Sequence, residues 1–262
     1  MKKLGKIVAV ANQKGGVGKT TSSVNLAAAL ASIQQKRILL VDSDPQGNAT
    51  SAVGVNIRNI SNHLYHAYLG TCSVTDILLE TGISNLKVLP TSIDLVAAEI
   101  ELISVDKRER YLSTLLQSIR SDFDYIIIDC PPSLGLLTLN ALTAADSVLI
   151  PMQCEYFALE GLAQLVTTIR SVKRSFNTSL FIEGLLLTMY DKRNKLTYQV
   201  ADQIHKHFDK QVFKTVIPRN VRLSECPSHG KTIVEYDPQS SGGKAYKNLA
   251  EEFLKQQRMN RV

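Results

Sequence analysis

The sequence predicts a doubly wound α/β fold: a mostly parallel sheet flanked by helices. Three observations predict it. Short β-branched runs alternate with longer helical patterns along the chain. The strand runs are apolar almost throughout rather than alternating, as in parallel strands covered on both faces. The motifs that carry charge fall where those strands end, the edge at which open α/β sheets collect ligands.

The run KIVAVAN (6–12) reads as a buried first strand, and residues 19–34 as a helix with Leu26, Ala27, Leu30 and Ile33 on one face. RILLVD (37–42) is the second strand. Residues 45–80 are the least regular stretch and read as a mobile insertion. LKVLP (86–90), YIIID (125–129), SVLIP (147–151), IEGLLLT (182–188) and VFKTVIP (212–218) continue the strand series. A last helix over 244–258 gathers Ala245, Leu249, Phe253 and Leu254 on one side and is expected to dock onto the sheet. No repeat, low-complexity stretch or Pro/Gly/Ser linker interrupts the pattern. The expectation is one domain over residues 1–262, with no recognition domain ahead of the first strand.

With 262 residues, 44% apolar and 21% charged, the composition is that of a soluble globular protein large enough for a sizeable core. The cysteines at 72, 130, 154 and 226 are far apart and form no C-x-x-C, which reads as reduced thiols in a cytosolic protein. Lys2-Lys3 precedes an apolar run too short for a signal peptide. No run approaches the roughly 18–20 apolar residues of a membrane span. His63/His66 and His205/His207 have suggestive spacing, but no cysteine or acidic cluster completes a metal site, so they read as solvated or helix-surface histidines. The net charge of +6 lies entirely in residues 190–262, which hold 14 basic and 8 acidic side chains. Such an excess suits nucleic acid or anionic lipid as well as plain solvation.

The stretch QKGGVGKTT (13–21) follows the first strand and opens the first helix. It fits the phosphate-loop pattern G-x-x-x-x-G-K-[ST] except that Gln13 replaces the first glycine and Lys14 follows it. Gly15, Gly16 and Gly18 let backbone N–H groups, Val17's among them, turn toward a phosphate. The helix beginning at Lys19 adds its positive end. Lys19 is placed for the β- and γ-phosphates, Thr20 for Mg²⁺, and Thr21 continues the cradle. YIIID then reads as a Walker B strand, delivering Asp129 near Mg²⁺, either outside the metal's own ligands or on a bound water. In VDSDPQGN (41–48), Asp42 is the candidate for positioning Mg²⁺ through water and Asp44 for orienting an attacking water. The competing role for either is a turn or helix-capping residue. Lys14 is surplus: the loop already satisfies its own nucleotide, and a second lysine pointing outward has no local anion to neutralise.

Together KGGVGKTT, DSDPQGN, YIIIDCPPSLG and IPRNVRLSECPSHGK resemble the ParA/Soj chromosome and plasmid partitioning ATPases, P-loop NTPases with a deviant Walker A motif, over Lys6 to about Leu254. The resemblance implies that Lys14 crosses to the ATP of a second subunit, so that two nucleotides are sandwiched in a homodimer. It implies slow, Mg²⁺-dependent ATP hydrolysis involving Lys14, Lys19, Asp44 and Asp129. A ParB/Spo0J-type centromere-binding protein would stimulate it. It further implies non-specific DNA binding by the ATP dimer, and a cytoplasmic, nucleoid-associated protein. Arg193 and Arg222, with Lys195 and Lys231, are the candidate DNA contacts. Pro218, Arg219 and Asn220 are candidates for the nucleotide base, with Arg219 also open to DNA. A membrane-binding, MinD-like role would need a basic amphipathic tail, which EEFLKQQRMNRV matches poorly. An iron–sulfur role in the same superfamily would need a paired cysteine motif, which the sequence lacks.

Overall fold

The computed structural model describes residues 4–259; Lys2, Lys3 and the last three residues of the tail lie outside the described residues. Seven strands form one sheet in the order β3-β4-β2-β5-β1-β6-β7. They are β1 (Lys6–Val10), β2 (Ile38–Asp42), β3 (Leu79–Glu80), β4 (Leu86–Leu89), β5 (Tyr125–Asp129), β6 (Ser147–Gln153) and β7 (Phe181–Thr188). All neighbours pair parallel except the short edge strand β3, which runs antiparallel to β4.

Helices cover both faces. On one lie α1 (Lys19–Ser32), α2 (Asn48–Ala52), α9 (Val221–Glu225), α10 (Ile233–Tyr236) and α11 (Ser241–Met259). On the other lie α3 (Leu64–Tyr68), α4 (Leu95–Glu101), α5 (Tyr111–Ile119), α6 (Leu136–Ala144), α7 (Ala158–Ser175) and α8 (Lys195–Phe208). Every strand but the short β3 feeds both layers: in β1, Ile7 and Ala9 face the second group, Val8 and Val10 the first. The near-continuous apolar strands are thus explained by two covered faces.

Three expectations need correcting. VFKTVIP is not a strand. Phe213 N and Ile217 N donate to Leu185 O and Leu187 O of β7, at 2.9 and 2.8 Å, but between them Lys214 N and Thr215 N donate to the Glu252 carboxylate of α11. The segment therefore bows off the sheet edge, and only isolated bridges remain. Phe213 packs so tightly here that a Cβ at Gly184 would lie 2.5 Å from its ring. Next, residues 45–80 are not one irregular insertion but hold α2, α3 and β3. Lastly, α1 is not one-faced: every residue from Ser22 to Ala31 is buried, because α11 lies over it. Tyr246 meets Ser22 (Oη to Oγ, 3.2 Å), while Phe253 reaches Tyr125 edge-on.

Candidate functional site

The site forms where β1, β2 and β5 end side by side. In register, Val10 is level with Asp129, and Asp129 with Asp42. Beyond β1 the chain turns through Gly16 and Gly18, whose φ angles of +74° and +84° L side chains rarely adopt. Asn12 anchors the turn: its Nδ2 donates to Pro151 O at 2.7 Å, and its Oδ1 accepts from Lys14 N at 3.1 Å. Val17 is buried, and its carbonyl accepts the Thr188 hydroxyl at 2.7 Å. A Cβ at Gly15 or Gly16 would meet nothing within 4 Å, so this rim of the loop is bare backbone.

Lys19 runs back under the loop and donates from Nζ to Lys14 O at 3.1 Å. Burial lowers its pKa, against the pull of Asp129, Cys130 and Asp44. Asp129 is fully buried. Ser23 Oγ, one turn along α1, lies 2.8 Å from its Oδ1 and 3.0 Å from Lys19 O, while Oδ2 has no hydrogen-bond partner among the described residues. Burial, with the neighbouring Asp42, pushes the Asp129 carboxyl up to about 8, against the Thr20 and Ser23 hydroxyls that lower it. A buried carboxylate oxygen without a donor, opposite Thr20 and below a bare glycine loop, suits a divalent cation bound with a phosphate. Thr20, with Asp129 directly or through water, would hold that cation, which would supply charge neutralisation at the phosphates.

Asp42 is also fully buried, and burial raises it to about 6. Its oxygens are engaged by protein: Oδ2 accepts Thr50 N and Thr50 Oγ1, both at 2.7 Å, and Oδ1 accepts Asp44 N at 3.3 Å. Asp44 Oδ1 accepts Gln46 N at 3.1 Å, the turn geometry that competes with a role on water. Thr21 and Gly18 border a cleft walled by Met189, Pro218, Arg219, Asn220 and Tyr246. Its two loops are stitched together by Tyr190 N donating to Ile217 O at 2.9 Å. Asn220 spends its Oδ1 on Arg222 N, capping α9.

Lys14 overturns one expectation: it does have a local anion. Its ammonium pairs with the Glu155 carboxylate, both side chains being half-exposed. Glu155 follows β6, the strand beside β1, so 141 positions of sequence separate partners that the sheet brings together. The candidate DNA contacts also carry acids. Arg193 forms a two-pronged pair with Asp191, and Arg222 pairs with Glu225 and, at 3.6 Å, with Asp237. Lys195 is exposed at the start of α8, and Lys231 lines a recess beside Thr20 and Thr21. His63, read as a solvated or helix-surface histidine, is instead 4% exposed, with Nε2 2.9 Å from Ser92 Oγ. It fills the space between α3 and the loop entering α4.

Residues 5–182 match the family described as AAA domain. The sporulation initiation inhibitor protein Soj of Bacillus subtilis is 57% identical over 249 residues, 95% of this chain and 98% of that protein. The chromosome partitioning protein ParA of Myxococcus xanthus is 53% identical over 252 residues, 96% and 89% of the two chains. The chain belongs to the Soj/ParA family of chromosome-partitioning ATPases. A solved structure of cobyrinic acid a,c-diamide synthase from Mycobacterium smegmatis, with bound ADP and magnesium, matches this ParA-family chain with a TM-score of 0.85 and 36% identity. The match covers 97% of this chain and 96% of that one.

Four further residues of this Soj/ParA site escaped the sequence reading: Asn12, Ser23, Thr50 and Glu155. Ser23 had a usable signal, since it lies four residues after Lys19 and so on the same helix face. Asn12 and Glu155 are placed by strand neighbours remote in sequence, which local spacing does not encode, and Thr50 is brought back to Asp42 by the turn between β2 and α2.

Proposed function

We propose that this partitioning ATPase is an ATP-gated dimerising switch, folded as one domain, that binds DNA without sequence preference and drives chromosome or plasmid partitioning. ATP with Mg²⁺ sits on the 14–21 loop, with its base toward Pro218, Arg219 and Asn220. Lys19 and the backbone amides hold the β- and γ-phosphates. Asp129 and Thr20 serve Mg²⁺, Asp42 holds Thr50 and Asp44 in place, and Asp44 orients the attacking water. Lys14 leaves Glu155 for the triphosphate of a second copy, so two symmetric lysines favour the dimer only while a γ-phosphate is present. Charge-assisted hydrogen bonds of this kind contribute roughly 1.5–3 kcal/mol each. Arg193, Arg222, Lys195 and Lys231 meet DNA phosphates from the dimer, giving nucleoid association. A ParB/Spo0J-type protein accelerates the slow hydrolysis that ends the cycle.

The observation that carries this reading is the bare rim at Gly15 and Gly16 beside a half-exposed lysine, a surface shaped for close approach by another molecule. Sedimentation equilibrium with ADP or a non-hydrolysable ATP analogue, with and without plasmid DNA, tests it. The analogue should give a dimer that sediments with DNA, and ADP a monomer that does not. Lys14→Ala should bind the analogue yet stay monomeric; a normal dimer from that variant refutes the switch.

A further inference from the structure

Thr188, the last residue of β7, is buried and donates its hydroxyl to Val17 O at 2.7 Å. Its methyl group packs beside the next residue of the loop: a Cβ at Gly18 would lie 3.8 Å from Thr188 Cγ2. One side chain thus grips a single peptide unit of the phosphate loop from 171 positions away in sequence. The end of β7 is itself clamped. Ile217 N donates to Leu187 O at 2.8 Å, Tyr190 N donates to Ile217 O at 2.9 Å, and Gln153 of β6 lies level with Thr188. A hydroxyl mounted on so fixed a strand end can set the orientation of what it holds.

We propose that Thr188 is a positioning residue for nucleotide: its hydroxyl fixes the direction of the Val17–Gly18 peptide and so aims the Gly18 N–H at a phosphate. The Val17 carbonyl and the Gly18 N–H belong to one planar trans unit and point in opposite directions. Thr188 holds the oxygen toward β7, which turns the N–H away from β7. Glycine at 18 does not enforce this by sterics. Its φ is +84°, and a glycine takes a negative φ about as readily. A flipped peptide would set the carbonyl oxygen against the phosphates in place of a donor, and its partial negative charge would repel them. The loop therefore needs a hold from outside itself.

Two substitutions separate the hydroxyl from the rest of the side chain. Valine keeps the shape and the methyl contact with Gly18 but presents only carbon to the Val17 carbonyl, which loses that donor. Serine keeps the donor and loses the methyl. The effect belongs to the phosphate end of the ligand, because the peptide held is part of the loop and not of the cleft at Pro218, Arg219 and Asn220. A ligand without a base therefore feels it as much as a nucleotide does. A hydroxyl that merely satisfied a buried carbonyl would change stability and leave affinity alone. The positioning role rests on the reading above that nucleotide phosphates occupy the 14–21 loop.

The test uses the full chain labelled with carbonyl-¹³C valine and ¹⁵N glycine, which isolates the amides of Gly18 and Gly54, the two glycines that follow a valine. With Mg²⁺ present, ADP and inorganic tripolyphosphate should each shift the Gly18 amide of the wild-type chain. Thr188→Val should weaken both ligands by the same factor, at least about fivefold, and should shrink the Gly18 shift at saturation. Thr188→Ser should return both affinities to within about twofold of wild type. Should the valine chain not fold, Thr188→Cys, whose thiol donates only weakly, takes its place and should bind both ligands less tightly than Thr188→Ser. Wild-type affinity in Thr188→Val, with a lowered melting temperature, would leave the hydroxyl a structural bond and overturn the proposal. So would a loss for ADP that spares tripolyphosphate, which belongs to the base cleft, or a loss as large in Thr188→Ser as in Thr188→Val. ADP that binds wild type without moving the Gly18 amide refutes the loop reading and the positioning role with it. A Gly18 shift beside unaltered affinity in Thr188→Val keeps the loop reading and removes Thr188 alone.

Discussion

Asp129 shows how one residue ties stability to the site. Its carboxyl ionises near 3.8 when unfolded and at about 8 when folded, chiefly because it is buried and next because Asp42 lies beside it. Between those values the native state binds more protons than the unfolded one, so stability falls as pH rises from about 4 to about 8 and levels off above. Asp42 adds to the same slope between 3.8 and about 6. Asp129→Asn removes the larger effect. Without nucleotide, that variant should exceed wild-type stability at pH 8 by about 1–3 kcal/mol, with the gap closing at pH 4. Urea unfolding across the range measures it, and parallel wild-type and variant slopes would show that Asp129 is already ionised in the fold. Mg²⁺ with nucleotide should flatten the wild-type slope, because a cation opposes protonation of the carboxylate.

The elements were legible to the degree that their causes are local. β1, β2, β4 and β5 begin and end within two residues of their apolar runs, since nothing else competes for their backbone. VFKTVIP has equal strand propensity, yet Glu252 on α11 takes two of its amides, a contact that no reading of residues 212–218 contains. The loops that carry the basic candidates repeat the lesson. Arg193 reads as a free cation, but Asp191, two residues before it, accepts from Nε and Nη2 at 3.1 Å each. That pairing holds the Asp191 carboxyl down at about 2, so the pair stays ionised throughout the physiological range. Asp191→Asn should therefore release Arg193. With the ATP analogue bound, affinity for a random-sequence duplex should rise severalfold, and the slope of log affinity against log salt should steepen by about one. Fluorescence anisotropy over a salt series reads both, and an unchanged slope would remove Arg193 from the DNA surface.

At the scale of the whole molecule, the sheet order converts sequence distance into contact, and this explains both what was visible and what was hidden. The phosphate loop, the Walker B strand and the two aspartates were visible because each is a compact motif at the end of a strand. Glu155 was hidden because only the adjacency of β1 and β6 brings it to Lys14. That contact bears on assembly. If Lys14 must serve a second copy, its pair with Glu155 opposes dimerisation twice, once per subunit. Half-exposed ion pairs contribute about 0.2–1 kcal/mol after screening, so two of them withhold about 0.4–2 kcal/mol. Glu155→Gln should therefore tighten the ATP-analogue dimer by roughly two- to thirtyfold, with the advantage shrinking at high salt. Sedimentation equilibrium at two salt concentrations measures it. The double variant Lys14→Ala with Glu155→Gln should gain nothing over Lys14→Ala, since the carboxylate acts only through the ammonium. A weaker dimer from Glu155→Gln alone would mean that the carboxylate makes its own contact across the interface rather than restraining Lys14.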